Sequence, residues 1–172
     1  MHIHSATLQD AQRILEIYSY YVVNTAVSYE YEPPTLSAFR ERMENTLKRY
    51  PYLVVEEDGV IQGYCYASPF IPRAAYDHTA ELSIYLDHGA RRRGYGRILY
   101  QEMEDRLRGM GIKNLYACIG DPIEEDEYLT HDSERFHRRM GFEKVGTFHL
   151  CGRKFGRWYN MIWMEKIIAS HD

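Results

Sequence analysis

The sequence predicts an α/β fold, one mixed sheet flanked by helices, on three observations. The 172 residues suit one domain with a sizeable core and contain no repeat, low-complexity stretch or linker. Apolar residues recur alternately at strand and helix periods, in the order β-α-α-β-β-β-α-β-α-β-β. Glycines, prolines and short polar residues fall between these segments, where turns and helix ends require them.

Residues His2 to Ala6 alternate and read as a first strand. Asp10 is the expected N-cap of a helix from Ala11 to about Val23. A loop over Asn24–Pro34 ends in a Pro-Pro pair, and Thr35 caps a second helix through Lys48. Leu53–Glu56 and Val60–Ala67 form a hairpin about Asp58-Gly59, and Ser68–Tyr76 is a proline-containing surface loop. In the strand Thr79–Leu86, Glu81, Ser83 and Tyr85 share one face and Leu82, Ile84 and Leu86 the other. Ile98, Leu99, Met103 and Leu107 stripe a helix to Arg108, which Gly109 and Gly111 end. Leu115–Ile119 is a strand and Asp121–Asp132 an acidic loop. Ser133 is the expected cap of a short helix to Met140, with Gly141 as its C′ residue. Strands over about Glu143–Leu150 and Trp158–Lys166 close the order.

Composition excludes several classes. A net charge of −4 and a pI near 6.1 argue against a general nucleic-acid binder. Three cysteines, far apart and without a C-x-x-C pair, predict reduced thiols, with no disulfide frame and no metal site. A polar beginning and the lack of a long apolar run predict a cytoplasmic chain with no membrane association. Sixteen tyrosines supply large apolar area with a polar tip, which suits core positions and the wall of a small-molecule pocket.

One segment carries chemistry. Arg91-Arg92-Arg93-Gly94-Tyr95-Gly96-Arg97 stands where a strand gives way to a helix. Glycines let backbone N–H groups turn toward one point, and a helix N-terminus adds partial positive charge, so the segment has the composition of a phosphate cradle. A solvated basic loop is the plain alternative. Leu99 stands where a dinucleotide fold needs its third glycine, and no Gly-Lys-Ser/Thr ending marks a nucleotide P-loop.

The R-x-x-G-x-G pattern opening a helix resembles the coenzyme A loop of the GNAT N-acetyltransferases. Other segments add to the likeness: Tyr50–Glu56 leading into Asp58-Gly59, Gly63–Ser68, Arg73–Glu81 before the strand Ser83–Leu86, His137 four residues before Gly141-Phe142, and Gly152–Trp158 in the last hairpin. Together they resemble the phosphinothricin and methionine sulfone/sulfoximine acetyltransferase branch, from about Ile3 to Glu165. The resemblance implies a mostly antiparallel central sheet flanked by helices, acetyl-CoA as cosubstrate, a small amino-acid-like amine as acceptor, and a homodimer.

It also implies roles. Acetyl transfer needs a neutral amine, and an alkyl ammonium of pKa roughly 10 is neutral in only about one molecule in a thousand at pH 7. Glu81 matches the family's proposed base and His137 a second proposed catalytic residue; a salt-bridging carboxylate and a half-buried structural histidine are the plain alternatives. Backbone groups of Ile84, Tyr85 and Leu86 would pair with the pantetheine arm, and N–H groups from Arg92 to Arg97 would take the pyrophosphate, with the arginine side chains adding charge. Tyr29, Tyr31, Phe70 and Tyr76 would line the acceptor pocket, and Arg73 would meet a carboxylate. Lys154, Phe155, Arg157 and Trp158 match the closing hairpin, as pocket wall or subunit contact.

The acidic stretch Asp121–Asp132 departs from the family, which has a shorter loop with an asparagine that contacts coenzyme A. It reads as a solvated loop, a selector of cationic acceptors or a subunit contact. Two other functions remain open: acetylation of a peptide or protein N-terminus or lysine, favoured by an open acidic groove, and a non-catalytic acyl-CoA sensor.

Overall fold

The computed structural model describes all 172 residues and contains one seven-stranded sheet. Its strands are β1 (His2–Ser5), β2 (Tyr52–Glu57), β3 (Val60–Ser68), β4 (Thr79–Leu86), β5 (Asn114–Asp121), β6 (Glu143–Lys154) and β7 (Arg157–Ile167). They lie in the order β1-β2-β3-β4-β5-β7-β6. Every neighbouring pair is antiparallel except β4 and β5, which run parallel. The helices are α1 (Ala11–Asn24), α2 (Leu36–Leu47), α3 (Tyr95–Gly109) and α4 (Asp132–Arg139). The predicted mixed sheet and element order are both present.

The two faces of the sheet are covered by different helices, as its alternation requires. Leu53, Val55, Cys65, Ala67, Leu82, Leu115, Ala117 and Ile119 form one core with Leu99, Met103 and Leu107 of α3. On the opposite face Tyr52, Val54 and Tyr64 pack with Ile14, Ile17 and Tyr21 of α1 and Phe39 and Met43 of α2. Glu81, Ser83 and Tyr85 belong to this second face, because Ser83 and Tyr85 stand opposite Tyr66 and Tyr64.

Several local expectations need correction. Asp10 does not cap α1 with its side chain; its carboxylate accepts from Thr7 N–H at 2.7 Å, and Thr7 caps a preceding 3-10 turn instead. Ser133 lies inside α4, which begins at Asp132. Helix α3 starts at Tyr95, three residues before the stripe at Ile98, because left-handed Gly94 (φ 83°) turns the chain directly into it. The final strands are longer than predicted and meet at Phe155-Gly156, whose φ values of 51° and 73° make a tight primed turn. Pairing between them slips from Phe148 to Gly152, a bulge that hides the strand period after Leu150.

Candidate active site

The site originates in a fault in the sheet. Strands β4 and β5 pair only over Thr79–Asn114, Ala80–Leu115 and Glu81–Tyr116 and then diverge. Beyond Glu81 the backbone of β4 has no strand partner on the β5 side, so it offers unpaired donors and acceptors to an extended ligand. A cavity of about 350 Å³ occupies the opening. It passes between the two faces: Leu82, Ile84, Ala117, Ile119, Phe136 and His137 line it on one side, and Ser83, Tyr85, Cys118 and Gly120 on the other.

The arginine segment stands at the wide end. Arg91 and Arg92 line the cavity, with Gly96 beside them and Arg139 contributed by α4. The first intrahelical bond at this end of α3 is Ile98 N–H to the Gly94 carbonyl, so the N–H groups before it are free for an anion. Gly96 has a packing requirement as well: a Cβ there would meet the Phe136 ring at 3.0 Å. The other members of the segment serve the fold. The Tyr95 hydroxyl donates to Glu57, Arg93 pairs with Glu57 at 3.7 Å, and Arg97 is exposed.

Glu81 sits just before the opening, on the last residue of β4 that still pairs with β5, and does not itself line the cavity. Its carboxylate has no hydrogen-bond or ion-pair partner, and burial pushes its pKa above the usual range. An unpaired, half-buried carboxylate beside a cleft has the properties of a base rather than of a structural ion pair. Cys118 shares its face of the sheet, and burial raises that thiol to about 12.

His137 is 3% exposed and doubly engaged. Its Nδ1–H donates to the Ser133 carbonyl and its Nε2 accepts from the Tyr100 hydroxyl, each at 2.8 Å. Burial lowers its pKa to about 4, so the ring is neutral at pH 7 and has no spare proton on Nε2. Between pH 6.5 and 4 the unfolded chain therefore binds the extra proton, and stability falls on acidification. Lowering the pH from 7 to 5 should cost about 2 kcal/mol through this group. Urea unfolding of the wild type and of His137→Gln at both pH values checks it, because the variant should lose that part of the pH dependence.

The expected acceptor residues divide. Tyr29 packs across glycines of two strands; a Cβ at Gly152 would lie 2.7 Å from its ring and one at Gly120 3.3 Å from its hydroxyl. Phe70 stacks on Tyr116 at 4.0 Å and meets Trp163 edge-on, and Tyr76 packs against Phe70. Tyr31 is 69% exposed, its hydroxyl bound to the Arg153 carbonyl, and Arg73 is exposed on its loop. None of these five residues lines the cavity. Tyr100, Ser83 and Cys118 line it without having been expected there. For Tyr100 the sequence signal is a helical stripe position, which also marks ordinary core.

The acidic insertion folds onto the protein and does not form an open groove. Arg157 holds Glu127 with two bonds of 2.7 and 2.8 Å and Asp126 at 3.0 Å, while Arg135 holds Glu125 and Asp132 at 2.8 and 2.9 Å. The Arg157 guanidinium accordingly keeps the Glu127 carboxyl below its usual range. Leu129 packs with Ala26 and Tyr159 and closes one wall of the cavity.

Residues 3–163 match the acetyltransferase (GNAT) domain model. Phosphinothricin N-acetyltransferase of Streptomyces viridochromogenes is 33% identical over 92% of this chain and 83% of its own length. The L-methionine sulfoximine/L-methionine sulfone acetyltransferase of Pseudomonas aeruginosa is 32% identical over 95% of this chain and 92% of its own. A GNAT superfamily phosphinothricin acetyltransferase from Sinorhizobium meliloti, solved in complex with acetyl-CoA, superposes with a TM-score of 0.88 at 34% identity, over 96% of this chain and 87% of that one. With a parallel strand pair that opens beside an arginine-glycine helix start, and with relatives matched along nearly its whole length, the chain belongs to the GNAT N-acetyltransferases, in the phosphinothricin and methionine sulfoximine acetyltransferase branch.

Proposed function

We propose that the protein transfers the acetyl group of acetyl-CoA to the amine of a small amino-acid-like acceptor, bound together with the cosubstrate. The opening between β4 and β5 carries this reading: Arg91, Arg92 and Arg139 line its cavity, and unpaired Glu81 stands where the two strands part, in register with Tyr116 of the Phe70–Tyr116 stack. Acetyl-CoA supplies an activated acetyl thioester. The free N–H groups at the start of α3, with Arg91 and Arg92, suit its pyrophosphate, and the unpaired backbone of Ile84 to Leu86 suits its amide-bearing arm.

Glu81 takes the ammonium proton, directly or through one water, and so raises the fraction of reactive amine. His137 is a positioning residue in this scheme; its ring holds the Tyr100 hydroxyl and ties α4 to α3. Burial keeps the Tyr100 phenol protonated, and its one proton is donated to His137, which leaves the oxygen only as an acceptor on the cavity wall. Tyr29, Phe70 and Tyr76 are the proposed acceptor wall. Arg73 would reach a substrate carboxylate only by a movement of its loop. The internally paired acidic insertion gives no support to a peptide-binding groove.

Release of coenzyme A should accompany addition of methionine sulfone, methionine sulfoximine or phosphinothricin, and exceed release with a lysine-containing or N-terminal peptide. Equal or greater turnover of the peptide overturns the amino-acid reading. Acetyl-CoA binding without turnover of any amine would leave a sensor. The proposed assembly is a homodimer through the exposed apolar side of the last hairpin, where Val145, Phe148, Leu150 and Trp158 are each about half exposed. Sedimentation equilibrium measures the mass directly.

A further inference from the structure

One face of α1 grips the segment that leads into the arginine turn. Arg13, Tyr20 and Tyr21 have the spacing of a single helix face, the two tyrosines following the arginine by two turns. Arg13 bonds Asp87 at 2.7 Å, and the Tyr20 ring stacks on His88 with centroids 4.1 Å apart. The Tyr21 hydroxyl donates to the Leu86 carbonyl at 2.5 Å, and the Arg91 guanidinium stands 6.0 Å from the centre of the Tyr21 ring. Of these residues only Tyr21, Leu86 and Arg91 line the cavity.

The turn needs such a grip. Arg92 has a left-handed backbone (φ 63°), which costs a non-glycine residue about 1–3 kcal/mol and persists only where the surroundings hold it. Arg93 is tied to Glu57, whereas Arg91 stands over the Tyr21 ring. An arginine seated in advance loses less side-chain freedom when an anion arrives than one that must be ordered by it. The Tyr21 hydroxyl also marks a boundary. Beyond Glu81 the backbone of β4 is open on the β5 side, and Tyr21 takes up the carbonyl of Leu86, the last residue of that strand. One side chain of α1 thus closes the open backbone and stands under the first charge of the turn.

We infer that Tyr21 is a positioning residue for the cosubstrate: its hydroxyl fixes the Leu86–Arg91 segment and its ring seats Arg91, so that the guanidinium meets the pyrophosphate already ordered. The inference rests on the acetyl-CoA reading above and deepens it.

A double-mutant cycle read by calorimetry with coenzyme A tests it. Tyr21→Phe keeps the ring and removes one hydrogen bond, so the variant should fold and bind coenzyme A about 5- to 10-fold more weakly. In an Arg91→Ala background the same substitution should change the affinity less than about twofold, because the group that it positions is gone. In steady-state kinetics Tyr21→Phe should raise KM for acetyl-CoA and leave kcat and the KM of the amine within about twofold. Acetyl-pantetheine shares the arm but lacks the pyrophosphate, and kcat/KM with this donor should likewise change less than about twofold. Unchanged coenzyme A affinity in Tyr21→Phe overturns the inference alone. An equal loss with and without Arg91, or with both donors, also overturns it, by showing that the hydroxyl supports the fold or the arm and not the arginine. No binding of coenzyme A to the wild type would overturn the acetyl-CoA reading and the inference together.

Discussion

Glu81→Gln should lower kcat/KM for the amine by 10²- to 10³-fold near pH 7 without destabilising the protein. The substitution is isosteric and removes no hydrogen bond or ion pair, because the Glu81 carboxylate makes none. Its folded pKa is raised by burial, so the charged form is disfavoured by folding, and stability is lost as pH rises past the unfolded value. Replacing it by a neutral amide therefore leaves the melting temperature equal or slightly higher at pH 7. A structural carboxylate would give the opposite sign.

The pH profile gives a second test. With a working base, deprotonated Glu81 and the abundant ammonium form react together, so the rate should be nearly flat from just above the raised Glu81 pKa to about the pKa of the amine. Without the base only the neutral amine reacts, and its fraction grows tenfold per pH unit up to about 10. The defect in Glu81→Gln should thus shrink roughly tenfold for each unit of increasing pH. A defect that stays constant from pH 6.5 to 9 would mean that Glu81 acts by some means other than proton removal.

Much of the donor side of the site could be read from the sequence, because it is local. An arginine-glycine turn between an alternating strand and a striped helix occupies one continuous segment, and its geometry follows from short-range rules. The acceptor side is assembled from distant pieces. Divergence of β4 from β5 is a property of strand pairing and leaves no mark in either strand alone. Tyr29 and Tyr31 look alike in sequence, yet one fills a slot over two glycines and the other lies on the surface. That slot needs Gly120 and Gly152, each just past the end of a predicted strand, where a close approach of another group is the usual reason for glycine. The acidic insertion reads as open charge only while Arg135 and Arg157, which neutralise it, are not known to be adjacent.

Lys154 is the clearest case, since a lysine in a hairpin is ordinarily a surface residue. Here it is 3% exposed, and its Nζ donates to the Val22 carbonyl at 2.6 Å and the Ser28 carbonyl at 2.7 Å. Val22 lies in the last turn of α1, where carbonyls lack helical partners and a cation is favoured by the helix dipole. Ser28 begins the stretch that carries Tyr29. One ammonium thus joins the end of α1, the loop that carries Tyr29 and the closing hairpin. Lys154→Met keeps the apolar stem and strands two buried carbonyls, at about 1–3 kcal/mol each. A loss of roughly 3 kcal/mol should lower the melting temperature by about 10 °C in a chain of this size. The catalytic consequence should be one-sided. Arg91, Arg92 and the start of α3 make no contact with Lys154, so acetyl-CoA affinity should stay within about threefold, whereas a loosened Tyr29 should raise the acceptor KM tenfold or more. Calorimetry with acetyl-CoA beside steady-state kinetics with the amine would separate the two. Equal losses on both sides would mean that Lys154 supports the whole fold and has no particular hold on the loop that carries Tyr29.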